Sequence, residues 1–354
     1  MLISANIWKA LIDVGVMLLP LDAVHVELRH EDRRAAVRLH AFSRPLNPSD
    51  ITSLVGRYPQ PGLLVVPSAT QEAREVVEQA GWSWVAEEAG HVVGLLQIEG
   101  ERMRVEAGAP ATVARVVELK PGPVPWGTLT VARRLLERPS ATQRELAEWA
   151  GVSQPRVSQI LASLAAQRLV QRAANGWQVR DFDQMLRWWL DAYRGPEGIS
   201  SFWYGLESPR EQAQAVVRLL QERAIGDRDA EVGATPAVLS GDVAADFIAP
   251  WRAPARAVVY ARRGVDLTGV GLIPAGEEEA TLELIVPRDP GVWPTTLREA
   301  DEVLPRDMSP PLADPLQILW DVRRSPGADT DEAVAVLWQE LRARHRAFGK
   351  RDAA

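Results

Sequence analysis

The chain has no cysteine. Disulfides, thiol catalysis and cysteine-ligated zinc are excluded together, and the composition fits a reducing, cytoplasmic setting. Lysine is scarce as well: Lys9, Lys120 and Lys350 are the only three. The five histidines, His25, His30, His40, His91 and His345, show no HExxH or other metal-ligand spacing. Long apolar runs are also missing. The first such stretch, Ile7 to Leu21, is interrupted by Lys9 and Asp13, and it lacks the basic start and small-residue cleavage site of a signal peptide. No run approaches the ~18 uncharged residues of a membrane span. A soluble protein with no membrane partner is expected.

What is present is ordinary in bulk and uneven in detail. At 354 residues, 46% hydrophobic and 25% charged, the chain reads as globular and is long enough for two or three domains. The net charge of −7 argues against a uniformly basic nucleic-acid binder. Between Trp126 and Arg180, however, eight arginines (Arg133, Arg134, Arg138, Arg144, Arg156, Arg168, Arg172 and Arg180) face three acids, Glu137, Glu145 and Glu148. A basic island in an acidic chain is a nucleic-acid signal.

The first ~110 residues read as mixed α/β. Asn6 to Leu19 has helical spacing of apolar residues, and Val24, Val26 and Leu28, then Val37 and Leu39, alternate as strands do. Asp50 reads as a helix cap, Leu63 to Val66 as a buried strand, and Thr70 to Ala80 as a helix closed by Gly81. Trp82 to Val85 and Val92 to Ile98 follow as strands, and the proline-rich Glu118 to Pro125 as a linker. Beyond the basic island, helices are expected at Asp181 to Tyr193, Val216 to Ala224, Pro315 to Arg323 and Asp331 to Arg346. Strands are expected at Ala257 to Ala261 and Thr281 to Val286.

The island itself spells a helix-turn-helix with a wing. Thr128 to Arg138 is a helix, and Thr142 with Glu145 forms a capping box for a second, Gln143 to Ala150. Gly151-Val152-Ser153 is the turn, and Ser153 opens a third helix with Pro155 in its first turn. Val157, Ile160, Leu161 and Leu164 make an inward stripe, leaving Gln154, Arg156, Gln159 and Ser163 for a major groove. Leu169 to Arg172 and Trp177 to Arg180, joined at Asn175-Gly176, form the wing. Arg133, Arg144, Ser153, Arg172 and Arg180 are the candidate phosphate contacts.

The segment Gln143 to Leu169 resembles the winged helix-turn-helix of bacterial transcription regulators. Further signs lie outside it: Leu63 to Pro67, Asp191-Ala192-Tyr193-Arg194, Leu239-Ser240-Gly241-Asp242-Val243-Ala244-Ala245 and Ala313-Asp314-Pro315-Leu316-Gln317. Together they resemble the bacterial AbiEi-type family of antitoxin-like regulators. The resemblance implies a DNA-binding autorepressor beside a cognate toxin, with a front region similar to restriction-endonuclease-like folds of the PD-(D/E)xK type. Such a nuclease site needs paired carboxylates for Mg²⁺ and a lysine to orient water. No lysine lies between Val24 and Ile98, and Asp50 reads as a cap, which leaves Gln97-x-Glu99 as the one loophole. The front is therefore expected to be a shell without chemistry.

Other constellations are weaker. Gly269-x-Gly271 lacks a Walker lysine, Ser240-Gly241-Asp242 is better read as a helix start, and His40 as a surface residue at a strand end. The second half is rich in tryptophan, and adjacent Trp188 and Trp189 cannot share one narrow helical stripe, so one of them is expected at an interface. The expected fold is α+β. It comprises a restriction-endonuclease-like α/β domain over 1–120, a winged helix-turn-helix over 121–180 and a C-terminal α/β domain over 181–354. The expected protein is a homodimeric regulator that binds double-stranded DNA and needs no cofactor or catalysis. The alternatives are a metal-dependent nuclease and an antitoxin that acts by protein contact alone.

Overall fold

In the computed structural model, which describes residues 3–88, 90–108, 124–226, 235–294, 310–325, 327 and 329–351, Ser4 opens the first helix by accepting the Ile7 N–H. That helix, α1 (Ala5–Asp13), stops at Gly15, whose φ of +75° suits glycine. The expected helix to Leu19 is therefore a helix followed by a strand, β1 (Met17–Pro20). β2 (His25–His30), β3 (Arg33–Ala41), α2 (Pro48–Arg57), β4 (Gly62–Val66), α3 (Gln71–Gln79), β5 (Ser83–Glu88), β6 (His91–Ile98) and β7 (Glu101–Ala107) follow. The seven strands pair in chain order, with β3–β4 and β4–β5 parallel and the other pairs antiparallel. β4 reads as unbroken apolar sequence because both its faces are buried. Leu63 and Val65 meet Ile7, Trp8 and Leu11 of α1, whereas Leu64 and Val66 meet Ile51, Ala73 and Val77 of α2 and α3. Asp50 is not the cap of α2. Asn47 is, and Asp50 completes its capping box while pairing with Arg44.

The middle of the chain supplies α4 (Trp126–Glu137), β8 (Ser140–Ala141), α5 (Gln143–Ala150), α6 (Gln154–Ala166), β9 (Val170–Ala173), β10 (Gly176–Val179) and α7 (Phe182–Ala192). β8, β10 and β9 form a three-stranded sheet in that order. This is a winged helix in the order helix, strand, two helices, two-stranded wing. The candidate linker falls mostly outside the described residues, which resume at Val124.

The tail continues with β11 (Ile199–Tyr204), α8 (Pro209–Gly226), β12 (Ala237–Ser240), α9 (Gly241–Ile248), β13 (Ala257–Ala261), β14 (Ile273–Pro274), β15 (Leu282–Val286), α10 (Pro315–Arg324) and α11 (Thr330–Arg351). It does not stay together as one domain. The chain forms two compact units: unit 1 is Met1–Glu118, Glu197–Leu239 and Arg256–Arg288, and unit 2 is Leu119–Pro196, Ser240–Ala255 and Asp289–Ala354. The reason is pairing and packing at long sequence separation. The five-stranded sheet β12-β13-β15-β11-β14 sends Ile199 and Phe202 of β11 into the apolar core under α1, which Ala280 ahead of β15 also joins and where Phe202 meets Trp8 edge-on at 6.1 Å.

Unit 2 instead closes around buried polar groups. Arg133 of α4 is 2% exposed and donates to Gly291 O, with Asp289 and Asp314 carboxylates each at 3.5 Å. Its guanidinium lies over Trp189 at 4.8 Å and Tyr193 at 5.5 Å. Burial opposes the charge, but Asp314 and Asp289 outweigh it and hold the guanidinium above its ordinary pKa. Tyr193 Oη lies 2.7 Å from both Asp289 Oδ2 and Gln317 Oε1, and Ser240 donates to Asp321 at 2.6 Å. Nearby, Arg252 takes Asp242 in a fork at 2.9 and 3.1 Å and reaches Asp329 at 2.8 Å. Ser240 does begin α9, yet its hydroxyl serves this network and not the helix cap.

His40 also departs from expectation. It is buried, stacked on Trp82 at 5.1 Å and tilted against Tyr58 at 4.8 Å. Burial, then Arg38, then His25 push its pKa down to about 4. Unfolding returns it to about 6.5, so the neutral ring stabilises the fold above that value and the benefit fades as pH falls toward 4. Urea denaturation is expected to show about 2 kcal/mol less stability at pH 5 than at pH 7 from this residue, and His40→Phe should flatten that dependence. Replacing Arg133 by methionine strands two buried carboxylates, and the same assay should show a loss of about 3–5 kcal/mol. A loss below about 1 kcal/mol would contradict the hub.

Candidate nucleic-acid interface

Local rules assemble the helix-turn-helix. Thr142 Oγ1 accepts the Glu145 N–H at 3.2 Å while Glu145 Oε2 accepts the Thr142 N–H at 2.7 Å, so α5 starts with the capping box intact. Gly151 ends it in the left-handed region at φ +62°, and the Val152 N–H returns to Ala147 O at 3.1 Å. Arg134 braces the turn from behind. It is buried, pairs with Glu137 at 2.7 Å and donates from Nε to Trp149 O at 3.3 Å, tying α4 to the last turn of α5. Four apolar residues of α6, Val157, Ile160, Leu161 and Leu164, are buried as a stripe. That burial fixes which face of the helix remains outside.

The outer face carries the residues that the spacing singles out. Gln154, Arg156, Gln159 and Ser163 are all exposed, and Arg156 Nη1 donates to Gln159 Oε1 at 3.2 Å. The pair aligns an amide and a guanidinium side by side, the two groups that read adenine and guanine edges in a major groove. Ser158 shares this face and was given no role by the spacing; its only signal is exposure between two buried positions. Ser153 occupies the N-cap position with extended backbone, but its side chain makes no cap hydrogen bond. The first-turn N–H groups of α6 thus receive no side-chain cap, at the positive end of a helix dipole, next to Gln154 and Arg156.

The wing is held by register. Trp177 pairs with Arg172 and Ala141, and Gln178 with Gln171 and Ser140. Gly176 is required at its start: with φ +126°, a Cβ there would stand 2.4 Å from Ala141 O. The Arg180 N–H closes the base on Leu169 O at 3.0 Å. Arg144, Arg172 and Arg180 are exposed, at the start of α5, on the wing and at its base respectively. Arg168 is exposed as well, with φ +59° just after α6.

Three of the expected site residues are placed elsewhere. Arg133 cannot reach a phosphate, because it is enclosed by Asp289, Asp314, Trp189 and Tyr193. Its position announces this: it lies four residues after Leu129 and three before Leu136, on the apolar stripe of α4. Trp189 is fully buried, stacked on Tyr193 at 4.5 Å, and donates to Leu129 O at 3.0 Å. Trp188 is half-buried and donates to Gln167 Oε1 at 3.1 Å, just beyond the end of α6. Both indole N–H groups are therefore engaged within unit 2 itself, Trp189 wholly inside it and Trp188 with part of its ring still exposed.

Among the described residues no group of three or more His, Asp or Glu side chains is arranged to hold a metal ion. In the front sheet, Gln97 Nε2 donates to Trp82 O at 3.0 Å, and Asp50 is taken by Arg44 and the Asn47 cap. No described helix is long and apolar enough to cross a membrane. No curated protein and no solved structure matches the chain. Residues 124–176 match the MarR family, so the winged helix in the middle of this chain is similar to the DNA-binding domain of that family of regulators.

Proposed function

We propose that the protein is a sequence-specific, double-stranded DNA-binding transcriptional regulator that acts in the cytoplasm as a homodimer, without catalysis or cofactor. The observation that carries this reading is the outer face of α6. Its apolar stripe is wholly buried, and an exposed guanidinium and amide are paired on the remaining surface. A helix with this division enters a major groove with its N-terminal half, while arginines around it neutralise phosphates. Arg156, Gln159, Gln154 and Ser163, with Ser158 beside them, read base edges. Arg144, Arg172, Arg180 and the N-terminal turn at Ser153 hold the backbone. The match of this segment to the MarR family supports the same reading. One helix reads too few base pairs for useful specificity, so two half-sites and two copies are required.

The finer reading is an autorepressing antitoxin of AbiEi type, working beside a cognate toxin. What supports it is that residues carrying the resemblance, Tyr193, Ser240, Asp314 and Gln317, meet in the polar interior of unit 2 instead of scattering over the surface. The front sheet then serves as a restriction-endonuclease-like shell without chemistry, in keeping with the structural roles of Gln97 and Asp50.

A mobility shift on the DNA upstream of the protein's own gene tests the main reading. Arg156→Ala and Gln159→Ala should each relax base preference by about 1–3 kcal/mol where the contact is bidentate. Arg172→Ala should weaken all sequences alike and reduce the slope of log affinity against log salt by about 0.9. If the two α6 variants discriminate between operators as the parent does, the groove assignment is wrong.

A further inference from the structure

A homodimer needs an interface, and the front sheet ends in a strand whose outer edge is open among the described residues. β7 is the terminal strand of the seven, pairs with β6 across Glu101–Ala107, and has no strand on its other side among the described residues. A seven-residue edge is long enough to template another strand. Its side chains alternate cleanly. Val105 is buried in the core under α1, with Met103 and Ala107 packed against it. Arg102, Arg104 and Glu106 face the opposite side, along a groove of about 550 Å³ that also includes Arg74, Trp84 and Leu95. Neither Arg102 nor Arg104 has an ion-pair or hydrogen-bond partner among the described residues, and Glu106 has only His91 at 3.8 Å.

We propose that β7 pairs antiparallel with β7 of a second copy of this chain, about a two-fold axis through Arg104, joining the two front sheets into one. The occupant follows from the sequence of the strand, which is complementary to itself in this register. Arg102 stands opposite Glu106 of the second copy, and Glu106 opposite its Arg102. Met103 stands opposite Val105, and Glu101 opposite Ala107. Opposite charges and apolar pairs facing each other across strands each favour the ladder, and like charges oppose it. Moving the axis to Met103 sets Arg102 against Arg104 twice, and moving it to Val105 pairs Arg104 with Glu106 but leaves Glu101 and Arg102 opposite residues beyond the end of the strand, so only the axis through Arg104 pairs all seven residues and both Arg102 and Glu106. A single unfavourable pair remains, Arg104 against itself on the axis. A two-fold of this kind is self-closing and uses up the β7 edge of both copies. The proposal rests on the homodimer of the proposed function, supplies its interface, and is measured without DNA.

Sedimentation of the full chain over a concentration series should show a reversible dimer. Arg102→Glu or Glu106→Arg alone should weaken it about tenfold or more, because each places like charges opposite one another at two symmetric positions. The double variant R102E/E106R should recover the parent dimer, which also shows that the exposed substitutions leave the fold intact. Arg104→Thr should tighten it. The absence of cysteine makes a cross-link specific. Directly opposed strand residues lie within disulfide reach, so R104C should oxidise to a covalent dimer. R102C should not, since its two copies would sit four residues apart along the ladder. A chain that stays monomeric, a dimer indifferent to both charge reversals, or R102C linking as readily as R104C would overturn the pairing. A monomeric R102E that still shifts DNA would separate this interface from the groove assignment.

Discussion

A guanidinium removed from water must be met by carboxylates and hydrogen-bond acceptors, or it will not remain charged and buried. Arg133 imposes that condition on unit 2. Its partners, Asp289, Gly291 and Asp314, lie far along the chain, and its aromatic walls, Trp189 and Tyr193, come from α7 and the residue after it. The neighbouring Arg134 points elsewhere, to Trp149 at the end of α5. Two adjacent residues of one helix thus fix α4 on both sides. One holds the helix-turn-helix to α4, and the other holds α4 to the C-terminal part of the unit. The reading head is consequently no module on a tether, and its helices are braced by charge as well as by the apolar stripe of α6.

The scarcity of lysine gains meaning in this light. Arginine is asked to do two different jobs within one short segment, and its planar, permanently charged fork suits both. Buried, it makes several directed bonds from one side chain, as Arg133 and Arg134 do. Exposed, it donates to an amide on α6, or stands on the wing opposite Trp177. Burial of those two leaves Arg144, Arg156, Arg168, Arg172 and Arg180 as the exposed cations of the basic island. The field offered to a phosphate backbone is therefore smaller than a count of charges implies. It is also concentrated around α5, α6 and the wing.

The elements legible in the sequence are those specified by neighbours. Thr142 with Glu145, Gly151, and the Val157–Ile160–Leu161–Leu164 stripe each act within a turn or two of helix, and the helix-turn-helix follows from them. The wing follows from its Gly176 turn. In the front, Leu63 to Val66 declares a strand buried on both faces, and Thr70 with Gly81 brackets α3. Features set by distant partners are not legible in this way. Nothing local to Ile199–Tyr204 announces a strand that pairs with Leu282–Val286, so the division of the tail between two units is invisible along the chain. Asp50 looks like a cap because the true cap, Asn47, lies three residues earlier in the same box. Arg133 misleads by residue type: its helical spacing from Leu129 and Leu136 puts it on the inward face, and only its charge argues for the surface.

The discontinuity of unit 2 bears on how the protein is made. α4 leaves the ribosome carrying a cation whose carboxylate partners are still more than 150 residues from synthesis. Until Asp289 and Asp314 emerge, the winged helix holds an unmatched charge at its centre and lacks the packing of α10 and α11. A nascent chain can therefore pair the strands of the front sheet early but cannot finish its reading head until Asp314 has been made. Fragments released by premature termination would carry the recognition helix without the interior that braces it, and quality control would meet them as incompletely folded chains.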